Sequence, residues 1–248
     1  MVKIYLGDIA TIKEKERLLK LLPADRVRRT WRLRKEEDRL LSIGAGTLLR
    51  VSLSEYEKSG FTEGTVRVDF SRVPDSGPAA ERMQTVEGPH GKPELPAYPG
   101  FFFNLSHSGT KVMLACSDSE IGCDVQKAGP CRERVLKRAF APSEKAYVNG
   151  AEGEERDVRF TEVWALKESF LKAVGIGICT ELDAFAVIDE AGQPGLRMRV
   201  TGDGGTFPEA EENAKTPAIG TDGADFEFQM WKEEGYVMAV CQRSVPKG

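Results

Sequence analysis

Side chains that could hold a cation and a phosphate occur in two segments of the second half of the chain. The segment 121–126 (IGCDVQ) has the periodicity of a strand, so Asp124 and Gln126 project from one face, about 7 Å apart. Glu168 and Lys172 are four residues apart in a segment of helical periodicity, which puts them on one helix face. Mg²⁺ in proteins commonly takes one or two carboxylates together with substrate phosphates and water. Magnesium-dependent phosphate chemistry fits this set, and a polar strand face with a Glu168–Lys172 surface ion pair fits it too.

A run of cations lies near the start of the chain. Six basic side chains and no acid occur in residues 26–35. The planar fork of arginine suits phosphate because it donates two parallel hydrogen bonds. Arg26 and Arg29 are three residues apart and share a helix face. Phosphate binding and a solvated helix surface are both compatible with the run.

Two further polar segments could contact an anion. Gly91-Lys92-Pro93 is typical of a turn and places a lysine on it. In 101–109 (FFFNLSHSG), hydroxyl groups and an imidazole follow three aromatic residues that anchor a strand. These groups could donate to a phosphate or cap local backbone groups. Ser106 and His107 are neighbours on a strand and point to opposite faces, so they are not a nucleophile–base pair.

Helices and strands that must position these residues are predicted along the whole chain. Helical periodicity predicts helices over 13–22, 25–57, 131–140 and 158–173. Six prolines predict a long irregular connection over 71–100, and glycine, aspartate and threonine predict a mobile segment over 202–224. Both halves combine strands with long helices, which makes a duplicated architecture possible. Strands are predicted at 2–9, 62–70, 101–105, 111–116, 121–126, 183–189, 195–201, 225–231 and 236–241.

Composition excludes several classes of protein. The 248 residues, 40% hydrophobic and 30% charged, are typical of one large or two modest globular domains. No stretch has the roughly 18 uncharged apolar residues of a membrane span, and the charged start shows no secretory signal. A net charge of −4 is unusual for a dedicated nucleic-acid binder. Five cysteines without a CxxC pair argue against a zinc site and a disulfide framework, which predicts a cytoplasmic protein.

The order and spacing of these motifs resemble one family. The basic helix, GKP at 91–93, FNLSHSG at 103–109, IGCDVQ at 121–126 and WALKESFLKAVGIG at 164–177 are similar to the 4′-phosphopantetheinyl transferases of the surfactin-synthetase-activating (Sfp) type. The resemblance implies transfer of phosphopantetheine from coenzyme A to a serine of an acyl or peptidyl carrier protein. It also implies an α+β fold of two similar halves related by a pseudo-twofold axis, with the active site in the cleft between them.

The resemblance further implies a role for individual residues. The coenzyme A contacts would be Arg26, Arg29, Ser42, Lys92, Ser106, His107 and Lys172. The ligands of Mg²⁺, or of Mn²⁺ in its place, would be Asp124, Gln126 and Glu168. Glu144, Glu168 and Lys172 would be catalytic, with Glu144 as a general base for the carrier serine. The N-terminal half, 1–117, would bind coenzyme A, and the C-terminal half, 118–248, would bind the metal.

One position departs from the family pattern, and one other class of function stays open. Many relatives have a glutamate where this chain has Gln126, and a neutral amide is a poorer ligand for Mg²⁺. A non-catalytic nucleotide- or RNA-binding module that uses residues 26–35 is the alternative. It requires interleaved aromatic residues, and only Trp31 is interleaved. Because two similar halves in one chain take the place of two subunits, we expect a monomer. We expect neither a nucleic-acid nor a membrane partner.

Overall fold

The computed structural model describes five stretches of the chain: 1–88, 91–175, 182–188, 192–198 and 226–244. The predicted mobile segment 202–224 lies outside them. The strands are β1 (Val2–Asp8), β2 (Gly64–Val68), β3 (Val86–Glu87), β4 (Pro93–Glu94), β5 (Phe102–Ser108), β6 (Lys111–Ser117), β7 (Ile121–Lys127), β8 (Phe185–Ile188), β9 (Pro194–Met198), β10 (Phe226–Glu233) and β11 (Tyr236–Arg243). The helices are α1 (Lys15–Lys20), α2 (Ala24–Arg32), α3 (Glu36–Ser59), α4 (Glu133–Ala139), α5 (Pro142–Asn149) and α6 (Gly153–Val174).

Two larger sheets organise the molecule. The first has the strand order β2-β1-β6-β5, in which β1 and β2 are parallel and the other pairs are antiparallel. The second has the order β10-β11-β7 and is antiparallel throughout. The turn after β6 carries the chain from the first sheet into the second. The boundary between an N-terminal half, 1–117, and a C-terminal half, 118–248, stays a prediction.

The two sheets share a core, and each carries one long helix on its other side. Alternate residues of β1, β6, β7 and β11 meet in a common apolar cluster that includes Ile4, Met113, Val125 and Met238. The opposite faces pack against α3, which has 24 residues, and α6, which has 22. The predicted α+β class with two similar halves is therefore confirmed. Among the described residues, no helix combines the length and the apolar character that a bilayer crossing requires.

The helix predicted over 25–57 is wrong in one respect, because it is two helices. Leu33 and Lys35 adopt extended backbone angles between α2 and α3. Three acids in the first turn of α3 and basic residues at the end of α2 complement the two helix dipoles, so a break here is favourable. Arg39 Nε closes the break by donating to the Leu33 carbonyl at 2.9 Å.

Other boundaries also differ from the prediction. The strand predicted to end at residue 105 continues as β5 through Ser108. The helix predicted from residue 158 begins at Gly153, because Glu154 and Glu155 form a first turn in which acidic side chains are favourable. Helix α5 was not predicted at all, although Pro142 at its first position is a common start signal.

Candidate active site

The site is built around one buried carboxylate, Asp124, on β7. Only 1% of this residue is exposed. Its Oδ1 accepts hydrogen bonds from Ser106 Oγ at 2.7 Å and from Lys172 Nζ at 2.5 Å. Its Oδ2 accepts one from Gln126 Nε2 at 2.8 Å. A buried carboxylate is expensive unless it is paired in this way. The structure thus brings together Asp124, Gln126, Ser106 and Lys172, which the sequence predicted as one site.

Close packing of α6 against β7 delivers the helical residues. A Cβ atom at Gly122 would collide with the backbone of Ser169 and Ala173, so glycine permits this approach. Burial raises the pKa of Glu168, and the negative charge of Asp124 raises it further. Burial alone would lower the pKa of Lys172, but Asp124 raises it above its usual range. Glu168 and Lys172 therefore both sense the charge of Asp124, as a shared site requires.

The donors of this site fit a hard divalent cation. Among the residues that the structure describes, no cluster of three or more histidine, cysteine, aspartate or glutamate side chains could hold a metal. Two carboxylates, Asp124 and Glu168, and the amide of Gln126 are the available oxygen ligands. Mg²⁺ is often held by one or two carboxylates and completes its shell with substrate phosphates and water. Burial is the main cause of the raised pKa of Glu168, the charge of Asp124 adds to it, and a cation bound between the two carboxylates would oppose both effects.

Strand alternation separates His107 from Ser106. Ser106 faces β7, whereas His107 follows Phe103 and Leu105, which pack in the core beneath α3. His107 keeps an exposed edge, but desolvation of the rest of its ring lowers its pKa, and Lys172 lowers it further. The charge of Asp38, in the first turn of α3, acts in the opposite direction. His107 therefore senses charges both of the Asp124 cluster and of the first turn of α3.

The predicted contacts on the basic helix form a separate group. Arg26 donates to the Ser42 carbonyl at 3.4 Å, and the Ser42 hydroxyl bonds the buried hydroxyl of Thr30 at 2.7 Å. Burial lowers the pKa of Arg26, and the charge of Arg29 contributes to the shift. Arg29 is exposed and donates to Asp25 at 2.7 Å. The bonds of Arg26 and Thr30 dock α2 on α3, that of Arg29 stays within α2, and none of them reaches the Asp124 cluster within the described residues.

Lys92 has an unexpected environment. The GKP turn was predicted to present this lysine to a phosphate. Instead, its Nζ donates to the Ala173 carbonyl at 2.7 Å and to the Ile121 carbonyl at 3.1 Å. Burial lowers its pKa. Lys92 thus caps the end of α6, where a positive charge is favourable, and ties this end to the start of β7.

The environment of Glu144 contradicts its predicted role as a general base. The side chain is fully buried, and its two oxygens accept hydrogen bonds from the Ala141 and Val187 amides at 2.7 and 2.9 Å. It also forms an ion pair at 3.0 Å with Lys167, which is itself completely buried. Burial raises the pKa of Glu144, and Lys167 opposes that shift. Glu144 therefore holds the start of α5 and β8 in place, and its complete burial keeps both oxygens away from a carrier serine.

Sequence reasoning missed Lys167 and Arg132. Lys167 donates to the Leu182 and Phe185 carbonyls, both at 2.7 Å, and so anchors the chain that follows α6. Its place between Val163 and Phe170 on the core face of α6 was a usable signal, because apolar residues recur there at helical spacing. Arg132 lies over the Trp164 ring at 4.9 Å and acts to lower the pKa of Glu168. No pattern local to Arg132 indicated this contact.

Comparison with known proteins gives a consistent result. A family model described as "4′-phosphopantetheinyl transferase superfamily" matches residues 120–241. A Bacillus subtilis 4′-phosphopantetheinyl transferase is 32% identical over 152 residues, which cover 61% of this chain and 59% of that relative. The Sfp transferase of B. subtilis strain 168 is 28% identical over 79% of both chains. A third B. subtilis transferase, ffp, is 28% identical over 96% of this chain and 89% of its own length. These matches span the basic helix and every motif of the Asp124 cluster, and over this length the chain is similar to 4′-phosphopantetheinyl transferases of the Sfp type.

Proposed function

We propose that this protein transfers the 4′-phosphopantetheine group of coenzyme A to a serine of an apo acyl or peptidyl carrier protein and releases adenosine 3′,5′-bisphosphate. The observation that carries the proposal is the Asp124–Ser106–Lys172 cluster, with Glu168 beside it, at the junction of β5, β7 and α6. The relatives that match over most of this chain are named as transferases of this kind. The enzyme class is therefore that of a holo-carrier-protein synthase.

In the proposed reaction, the carrier serine attacks the β-phosphate of coenzyme A, its hydroxyl proton passes to water, and 3′,5′-ADP leaves. Asp124 and Glu168 would hold Mg²⁺, or Mn²⁺ in its place, with the Gln126 amide beside it. The bound cation would withdraw negative charge from the pyrophosphate oxygens. Lys172 would move its ammonium from Asp124 to a phosphate oxygen, where it stabilises the charge that builds in the transition state.

The remaining coenzyme A contacts are proposed from the family resemblance. Arg26 and Arg29 on α2 and His107 on β5 would bind the 3′-phosphate. Ser42 would lie along the adenine. The ammonium of Lys92 would need to leave the Ala173 carbonyl to bind a phosphate directly, so a structural role agrees better with its hydrogen bonds. In this proposal, residues 1–117 contribute the nucleotide contacts and 118–248 contribute the metal ligands.

The proposal is tested by incubating an apo carrier protein with the enzyme, coenzyme A and Mg²⁺, followed by mass spectrometry of the intact carrier. We expect a gain equal to one phosphopantetheine group with at least one acyl or peptidyl carrier. Glu168→Gln is the matched control, because it keeps the shape of the side chain and removes the negative charge of a metal ligand. No gain with several carriers, or an equal gain with the control variant, would refute the proposal.

The alternative of a nucleotide- or RNA-binding module receives no support from the comparisons, which return transferases. We further propose a monomer in a reducing, cytoplasmic compartment. The cysteines that the structure describes are all free thiols, and three of them are buried, which agrees with such a compartment. The carriers, and with them a fatty acid, polyketide or nonribosomal peptide pathway, are not specified by any residue of the site.

A further inference from the structure

Arg50 in α3 is a buried cation that forms no ion pair within the described part of the chain. It is 5% exposed, and its guanidinium donates to the backbone carbonyls of Pro78 and Asp75. Its Nε is buried and has no hydrogen-bond partner among the described residues. The carboxylate of Asp75 is bonded instead to Arg17, at 2.6 Å. Because a buried charge is costly unless it is paired, Arg50 favours an anionic partner at this place.

A pocket of about 240 Å³ lies beside Arg50, between α3 and the irregular connection that follows β2. Arg50, Ser54 and Lys58 line it from α3, and because they recur every four residues they share one helix face. The connection lines the other wall with Ser76 and two apolar residues. Lys58 is exposed and forms no ion pair among the residues that the structure describes. The pocket thus combines two cations with two residues that carry hydroxyl groups.

The acid that lines the same pocket, Glu55, is engaged elsewhere. Its Oε1 is 3.0 Å from Lys3 Nζ, and its Oε2 accepts a hydrogen bond from the Tyr5 hydroxyl at 3.0 Å. Since successive helical residues are rotated by about 100°, Glu55 points about 140° away from Arg50. Lys3 therefore compensates the charge of Glu55, and the positive charge of Arg50 and Lys58 prevails in the pocket.

Two features prepare Arg50 for a further ligand. A guanidinium has five N–H groups, and the two carbonyl contacts of Arg50 leave three of them, including that of Nε. Gly77 lies against the guanidinium: a Cβ atom there would be 3.1 Å from Nη2, and its φ of +147° is one that residues with a side chain rarely adopt. Glycine thus lets the connection close over Arg50 and fix the orientation of its N–H groups.

We propose that this pocket is a binding site for a small oxyanion, a phosphate or carboxylate group, held by Arg50, Lys58 and the Ser54 hydroxyl. Arginine donates parallel N–H bonds to such groups, and lysine adds a second positive charge. The site is separate from the proposed coenzyme A contacts, since Arg50 is eight residues, about 12 Å of helix, beyond Ser42. The inference therefore does not depend on the transfer reaction. A bound anion would link the irregular connection to α3.

Calorimetric titration with sodium phosphate tests the site. The solution contains EDTA and saturating coenzyme A, so that the proposed active site is occupied, and sodium chloride keeps the ionic strength constant. We expect one phosphate site in the native protein. Lys58→Met should weaken it about threefold or more, and Arg50→Lys, which keeps the charge and removes the fork of N–H groups, about tenfold or more. Lys20→Met is the matched control, because Lys20 is also an exposed lysine in the last turn of a helix.

Sodium acetate at the same ionic strength provides the second arm, and the anion that binds more tightly identifies the ligand class as phosphate or carboxylate. Binding of neither anion would overturn the proposal, and so would an equal loss of affinity in Lys58→Met and Lys20→Met. Native affinity in both Arg50→Lys and Lys58→Met would overturn it too, because the anion would then bind elsewhere.

The design covers two ways in which the experiment could otherwise become ambiguous. Because Lys58 is exposed, its variant keeps the test valid if Arg50→Lys does not fold. The comparison of Lys58→Met with Lys20→Met needs neither coenzyme A affinity nor transfer activity. A failure of the proposed function would therefore leave the outcome for this pocket readable.

Discussion

Replacing Lys172 by methionine tests the electrostatics of the site, because it removes the ammonium that neutralises Asp124 and keeps most of the side-chain length. Asp124 is 1% exposed, and the Lys172 side chain is 28% exposed. Removing one partner of a buried ion pair costs about 3–5 kcal/mol. Ser106 and Gln126 still donate to Asp124, and Lys172 is partly solvated, so we expect a loss of about 2–3 kcal/mol in the free energy of unfolding.

Urea denaturation in EDTA measures this loss. The matched control is Lys15→Met, because Lys15 also lies 2.5 Å from a carboxylate, that of Glu36, but this carboxylate is 48% exposed whereas that of Asp124 is buried. We expect the control to unfold close to the native protein. Mg²⁺ should stabilise Lys172→Met more than the native protein, since the cation replaces the missing charge beside Asp124. A loss no larger than that of the control, or equal stabilisation of both proteins by Mg²⁺, would refute this account of the pair.

Three further results are expected. Glu168→Gln should lower kcat for carrier modification about 100-fold or more while its melting temperature stays near the native value, because a metal ligand loses its negative charge while the helix keeps its packing; native-like transfer would contradict this role. Gln126→Glu should bind Mg²⁺ more tightly without coenzyme A, measured by calorimetry, and keep most of the activity; unchanged affinity would mean that residue 126 does not face the ion. The third result concerns His107, whose lowered pKa leaves it neutral at pH 7 in the free protein. Contact with the 3′-phosphate would raise that pKa, so coenzyme A binding should take up a proton and weaken as the pH rises through the pKa of the bound state. Calorimetry in buffers of different ionisation enthalpy measures the uptake, and His107→Gln should abolish it; a proton count of zero in the native protein would contradict the contact.

Much of the site could be predicted from local sequence patterns. Alternation on a strand puts Asp124 and Gln126 on one face, and the Gln126 amide indeed bonds Asp124. Helical spacing puts Glu168 and Lys172 together, and both sense the charge of Asp124. The polar alternation of the NLSHS segment also indicates how far strand β5 extends. It continues with a period of two through Ser108, which indicates that β5 does not stop where the polar residues begin.

The rest depended on contacts between distant parts of the chain. Ser106 meets Lys172 across 66 residues, and Lys92 meets the Ala173 carbonyl across 81. No local pattern indicates which hydrogen-bond partners a lysine or a hydroxyl will have once the two halves have packed together. The same limit explains Glu144, whose type suits a base but whose Lys167 partner and two backbone donors belong to the core of the second half. The break between α2 and α3 was different, because Glu36, Glu37 and Asp38 marked a helix start that a purely apolar periodicity overlooks.

The most direct test of the active site is a crystal structure of the protein with coenzyme A and Mg²⁺. We expect the cation between Asp124 and Glu168, in contact with the pyrophosphate, and Lys172 Nζ moved from Asp124 to a phosphate oxygen. Coenzyme A bound away from the junction of β5, β7 and α6, or a cation that touches neither carboxylate, would contradict the account.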